Sequence, residues 1–393
     1  MKRYNFDEII ERKNTNSLKF DCASLRGLPE DTLPLWVADM DFRAPDCVLE
    51  ALQGCVDHGI FGYSEVNDSY AETVAAWFDT RFGWKPETEW LIKTPGVVYA
   101  LAMAVRALTA PGDAIIIQPP VYYPFYSVVR ENGRVLVENE LIYSGGRYSI
   151  DLADFERKII ENNVRAFILC SPHNPTGRVW TREELRELGS ICRKHGVFVL
   201  SDEIHCDFAF PGHEHSVFAQ ACPELAERCV IFTAPSKSFN IAGLQVSNIW
   251  IPSAGIREKF RHEIDASGYS QLNSMGLAAS RAAYEKGAPW LEQCSAYMRA
   301  NLDYLRDFLC ERLPEIKLVE PEGTYFAWID CSGLGLTRDG LNDLIIKRAK
   351  LWLDAGHIFG EKSEQFQRIV LACPRSTLTR ALEQLEAAVR SDG

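Results

Sequence analysis

From residue 90 onward the chain alternates short β-branched apolar runs with stretches of helical periodicity, and few architectures satisfy that pattern. The apolar runs lie at 115–117, 166–169, 197–200, 230–232 and 249–251. Amphipathic segments such as 96–108 and 182–194 separate several of them. Strands that are apolar throughout must be covered on both faces, and strands that alternate with helices are joined as parallel βαβ units. The expected fold class is α/β, with a large domain of three layers around a mostly parallel sheet.

After about residue 285 the character changes. A long helical pattern over 290–313 precedes strand-like pieces at 316–319 and 325–329, and further helices are expected over 337–350 and 377–390. These fit a smaller α+β domain. The expected division is an N-terminal segment, 1–45, packing with the small domain; a large domain, 46–285; and the small C-terminal domain, 286–393. Two or three domains suit 393 residues. With no Gly-, Ser- or Pro-rich linker between them they should share an interface, where ligand sites commonly lie.

Net charge is −12, with Lys and Arg scattered and not gathered into a stripe, so nucleic acid and anionic membrane are poor partners. The twelve cysteines form no C-x-x-C pair and no spacing suited to a metal, and read as reduced, mostly buried thiols. The first residues, MKRYNFDEIIERKN, lack the apolar run of a secretory signal. No stretch reaches roughly 18 uninterrupted apolar residues. A cytoplasmic protein is expected.

Four segments carry residues suited to chemistry, each at a strand end. In Thr94-Pro95-Gly96-Val97-Val98 a strand runs into an apolar helix through Pro-Gly. Such a turn leaves the first helical N–H groups unpaired and adds the positive end of the helix dipole, which together favour a phosphate. Ser171-Pro172-His173-Asn174-Pro175-Thr176-Gly177 follows the run at 166–170, and two prolines with a glycine would hold Asn174 as a fixed donor or in an Asx turn. Ser201-Asp202-Glu203-Ile204-His205 ends the run at 197–200. A carboxylate there is costly unless a cation or donor meets it, and a protonated ring nitrogen would serve. A Ser/His/Asp hydrolase is conceivable from these residue types, but no G-x-S-x-G elbow occurs. Thr233-Ala234-Pro235-Ser236-Lys237-Ser238-Phe239-Asn240 is the fourth. Alone, Lys237 reads better as an exposed loop lysine. Together, a phosphate cradle, a fixed Asn, a buried Asp and a strand-end Lys are the set needed to hold pyridoxal phosphate.

With these residues the chain resembles the fold-type-I pyridoxal-phosphate enzymes, the aspartate aminotransferase superfamily, over nearly its whole length. Within it the chain looks most like the MalY/PatB group of carbon–sulfur β-lyases. The stretches responsible are Trp36-Val37-Ala38-Asp39-Met40-Asp41-Phe42, Phe61-Gly62-Tyr63, Thr94-Pro95-Gly96-Val97-Val98, Ser201-Asp202-Glu203-Ile204-His205 and Ala372-Cys373-Pro374-Arg375. The resemblance implies a seven-stranded sheet in the large domain. It makes Lys237 the lysine joined to pyridoxal 5'-phosphate and Asp202 the partner of the pyridine nitrogen. Asn174 would bond the ring's phenolic oxygen, Tyr122 would stack on the ring, and Gly96, Val97, Val98 and Ser236 would surround the phosphate. His205 and Thr233 fall beside the cofactor. Arg375 would grip the substrate α-carboxylate, with Trp36 and Asn174 nearby. Tyr63 would reach the cofactor and substrate of a neighbouring subunit, implying a homodimer.

Two departures bear on the reaction. Aminotransferases of this superfamily usually carry an arginine eight residues after the lysine, where this chain has Gln245, and a tyrosine three residues after the aspartate, where it has His205. Both favour a lyase that splits an L-cysteine thioether such as cystathionine into a thiol, pyruvate and ammonia. An aminotransferase acting on an L-amino acid and a 2-oxo acid is the alternative. A cofactor-containing regulatory protein that binds a partner is a third reading, since that side role is known in the lyase group.

Overall fold

The computed structural model describes residues 2–65 and 68–391. Its centre is a sheet of seven strands in the order Leu91–Thr94, Ser247–Trp250, Cys229–Thr233, Phe198–Asp202, Val164–Cys170, Ala114–Ile117 and Val135–Glu138. Ser247–Trp250 runs antiparallel to both neighbours, and the other six strands share one direction. Side chains alternate between two cores. Ile116, Phe167, Leu169, Val199 and Ile231 enter one. Ile115, Ile168, Leu200, Val230 and Phe232 enter the other. Helices therefore cover both faces, as the unbroken apolar runs require, and the expected three-layer α/β class is what forms.

Local signals set the helix ends. Arg182–His195 opens with a capping box, in which the Thr181 hydroxyl accepts from Glu184 N and the Glu184 carboxylate accepts from Thr181 N. It closes at Gly196, whose φ of 69° suits a residue without Cβ. Val97–Leu108 begins at Gly96 with no side-chain cap.

A second, four-stranded antiparallel sheet takes the order Lys317–Val319, Phe326–Asp330, Phe366–Val370 and Asp354–Ala355. Ala288–Arg312 and Arg375–Arg390 pack on it through Leu302, Leu305, Leu309, Leu378 and Leu382. The single helix expected over 337–350 is instead Arg338–Asp343 followed by a π-turn at Leu344–Arg348. The N-terminal chain touches both sheets. Leu33–Pro34 pairs with Leu351–Trp352 as a separate two-stranded sheet and Val370 N of the second sheet donates to Leu35 O at 3.0 Å, while Asn240 bonds Met40 and Phe42 beside the large sheet.

One buried contact ties the loop after Val164–Cys170 to the second sheet. The Arg178 Nε bonds Glu322 Oε2 at 2.8 Å, and Val179 N donates to the same oxygen at 2.9 Å. Gly177, at φ 72°, lies so close to Pro321 that a Cβ there would come within 2.4 Å of the proline Cβ. Only glycine accommodates both the backbone angle and the approach.

Candidate active site

Because six strands share a direction, their carboxyl ends emerge along one edge, where open α/β sheets bind ligands. The loops after Thr94, Ile117, Cys170, Asp202 and Thr233 all reach one cavity of about 220 Å³. Gly96, Val97, Val98, Tyr122, Asn174, Asp202, His205, Ser236 and Lys237 line it, as does Gln245. Nine of the candidate residues, carried on five separate strand-end segments, are thus brought to one cavity.

Lys237 is held from the N-terminal side. Its Nζ donates to Ala38 O at 3.0 Å, and Tyr325 Oη donates to the same carbonyl at 2.9 Å. Burial pushes the ammonium down to about 8, helped by Arg368 and opposed by Asp39 and Asp202. A fraction of the amine is therefore neutral near physiological pH. Asp202 sits at the end of its strand, 4% exposed, with Oδ1 accepting from Ile204 N at 3.1 Å. Burial raises its carboxyl to about 7, against the opposing backbone bond; Glu203 adds to the rise and Lys237 resists it. Burial also holds Tyr122 above the ordinary phenol range.

His205 packs edge-on against Phe326 and Tyr325, and its Nδ1 is buried without a partner among the described residues. Its pKa lies well below the ordinary imidazolium range because burial disfavours charge, reinforced by Lys237 and Arg368. A neutral imidazole facing the cavity is the result. Asn174 accepts from Arg368 Nη1 at 2.8 Å through Oδ1, leaving its amide nitrogen to donate.

The chemistry of this set fits pyridoxal phosphate. Gly96 borders the cavity, and a Cβ there would meet no atom within 4 Å. The N–H groups of Val97 and Val98, beyond reach of any intrahelical carbonyl, stand at the same wall. An anion suits that end and a protonated ring nitrogen suits the under-partnered Asp202, with an amine between them.

Four expected site residues stand elsewhere. The Thr233 hydroxyl donates to Asn248 O at 2.7 Å inside the sheet. The Trp36 ring stacks on Trp352 at 4.3 Å, and only its carbonyl turns toward the site, accepting from Arg368 at 2.9 Å. Tyr63 is 96% exposed and away from the cavity of its own chain. The Arg375 reading is corrected. Arg375 opens the last helix, with Nε on Asn301 Oδ1 at 2.7 Å and its guanidinium 4.6 Å from the Tyr304 ring, so it faces the small-domain core and not the cavity.

The arginine beside the site is Arg368, in the middle of Phe366–Val370 and 2% exposed. A signal for it existed. A guanidinium at the centre of an apolar strand must be partnered, whereas the A-C-P-R motif drew attention seven residues too far along.

Residues 30–385 match the family model described as aminotransferase class I and II. The chain belongs to this family. Cystathionine beta-lyase PatB of Bacillus subtilis is similar at 44% identity over 386 residues, covering 98% of this chain and 100% of that protein. The structure of cystalysin from Treponema denticola, which contains a pyridoxal 5'-phosphate cofactor, has TM-score 0.96 and 38% identity, covering 100% of both chains. The PLP-bound C-S lyase from Staphylococcus hominis has TM-score 0.93 and 35% identity over 98% of each. The class I and II aminotransferase fold thus accounts for the strand order and for the edge on which the cavity opens.

Asp202 gives a pH prediction for the cofactor-free protein. Its folded pKa of about 7 lies above the ordinary 3.8, so the stability it contributes is full below about pH 4 and is lost as pH rises to about 7. Asp202→Asn has no such loss. Denaturant titrations should find the variant equal to wild type at pH 4 and more stable at pH 8, by up to ~4 kcal/mol. A difference that does not change with pH would contradict the burial argument.

Proposed function

We propose that the chain is a pyridoxal-phosphate-dependent carbon–sulfur β-lyase that cleaves an L-cysteine thioether such as cystathionine to homocysteine, pyruvate and ammonia. The observation that carries the reading is the meeting of Lys237, Asp202, Asn174 and the bare helix end at Gly96 around one cavity, in a chain similar to PatB along its whole length.

In this reading Lys237 binds the cofactor, Asp202 holds a proton on the pyridine nitrogen, Asn174 donates to the phenolic oxygen, and Gly96, Val97, Val98 and Ser236 receive the phosphate. Bound there, the cofactor supplies an electron sink for the pair released when the substrate's α-proton leaves. Lys237 takes that proton at its amine, which its lowered basicity suits. Arg368 grips the α-carboxylate edge-on beside Asn174, a task for a planar fork. Neutral His205 and the rings of Tyr325 and Phe326 keep one side dry and uncharged. Arg368 reaches Asn174 from the second sheet, which supports a large unit over 46–285 carrying the cofactor and a smaller one over 286–393 supplying that arginine.

A homodimer completes the site in the same reading. Phe61, Tyr63, Val56 and Ile60 are exposed apolar side chains within one short stretch, and covering them would offer Tyr63 to a second copy. Among the described residues no helix is long and apolar enough to cross a membrane.

Incubation with cystathionine separates the lyase from an aminotransferase that shares the first proton abstraction. The lyase releases pyruvate and thiol in equal amounts with no 2-oxo acid added, whereas strict dependence on such an acceptor would sink the proposal. The carboxylate assignment has its own test. Arg368→Gln should raise KM by roughly a hundredfold, since a charged partner is lost at a buried ion pair. Arg375→Gln should leave KM within about twofold, as its bonds lie in the small-domain core; equal effects would refute the distinction.

A further inference from the structure

A carboxylate of the chain itself already stands on Arg368. Asp354 lies directly across the sheet from it, and Asp354 Oδ2 accepts from Arg368 Nη2. Both side chains are enclosed, at 6% and 3% exposure. The other partners are fixed too: Nη1 donates to Asn174 Oδ1 at 2.8 Å, and Nη2 donates also to Trp36 O at 2.9 Å. The rings of Phe326 and Phe359 lie 4.3 and 4.9 Å from the guanidinium carbon. Ligands therefore reach this cation at its edges. Nε is buried with no partner among the described residues, so the donor set is incomplete as it stands.

These contacts set a conflict. A substrate carboxylate arriving on Arg368 places a second anion on a guanidinium that Asp354 already neutralises, inside an enclosed site where like charges are poorly screened. Asp354 is itself buried, so it has little solvent to withdraw into. We infer that Asp354 is a positioning residue that stands in for the substrate α-carboxylate on Arg368, holding the guanidinium in register and loosening the grip on any carboxylate ligand. The inference rests on Arg368 being the carboxylate site. Its consequence is a site that recognises an α-carboxylate without binding it tightly, and that lets go of a carboxylate product. An ordinary structural ion pair makes the opposite prediction, because removing its anion would let the arginine wander and weaken binding.

Asp354→Asn keeps an oxygen acceptor for Nη2 and removes only the charge. The test compares cofactor-loaded wild type and variant by titration with L-alanine and with L-alaninamide, reading the change in the cofactor's visible absorbance. The variant should bind L-alanine at least about threefold more tightly while binding of L-alaninamide moves less, because only the carboxylate feels the missing charge. The same split should appear in turnover, with KM for the thioether falling further than kcat changes. Unchanged or weaker L-alanine binding would overturn the inference. Should Asp354→Asn lose its visible band, Asp354→Ser removes the same charge and is judged by the same comparison.

Arg368→Gln distinguishes the two levels of failure. If Arg368→Gln binds L-alanine as well as wild type does, Arg368 is not the carboxylate site and both readings fall. If it weakens L-alanine at least about tenfold while Asp354→Asn gives no tightening, the arginine assignment stands and Asp354 is structural.

Discussion

Asp202 ends a strand covered on both faces, and its carboxyl keeps one backbone N–H as partner while burial raises its pKa to about 7. A carboxylate so placed costs stability in the empty protein and becomes favourable only when a cation or strong donor arrives. The other elements of the site are arranged around that need. Lys237, in the short helix after the neighbouring strand, is near enough to lower the Asp202 pKa and is itself pushed toward neutrality by burial. The helix that starts at Gly96 brings the opposite kind of vacancy, N–H groups that seek an anion. A flat molecule with a basic ring nitrogen at one end and a phosphate at the other meets both.

The N-terminal segment and the second sheet close this edge. Ala38 O receives both Lys237 and Tyr325, and the following residues are anchored by Asn240 on one side and by the buried Lys19 and half-buried Arg12 on Asp41 on the other. Arg368 connects the same region to Asn174 and to the Trp36 carbonyl. The site is thus joined from three parts of the chain, and movement of the second sheet would reach the cavity through Arg368 and Ala38 together.

Much of this was legible in the amino-acid order, for physical reasons. Apolar strands covered on both faces leave unbroken β-branched runs; Asp202 stands out because it ends one, and Asn174 and Lys237 gain meaning because each follows one closely. Arg368 was less visible because it lies inside the strand Phe366–Val370, whose register and neighbours arise only from pairing with Asp354 and Phe326 across the sheet. Arg375 carried a better motif but opens a helix whose packing under Tyr304 turns it inward. Trp36 and Thr233 likewise lie where the motif suggested, yet the site meets a backbone carbonyl of one and the sheet interior absorbs the hydroxyl of the other. Sequence spacing locates a residue along the chain; which way it faces is decided by partners far away in number.

The central claim is that the cofactor is joined to Lys237 at the carboxyl edge of the large sheet. Borohydride reduction of the purified, cofactor-loaded protein followed by peptide mapping measures that attachment directly. The account predicts a single pyridoxyl adduct, on Lys237. An adduct on another lysine, or a reduced protein that releases its cofactor unattached, would contradict it.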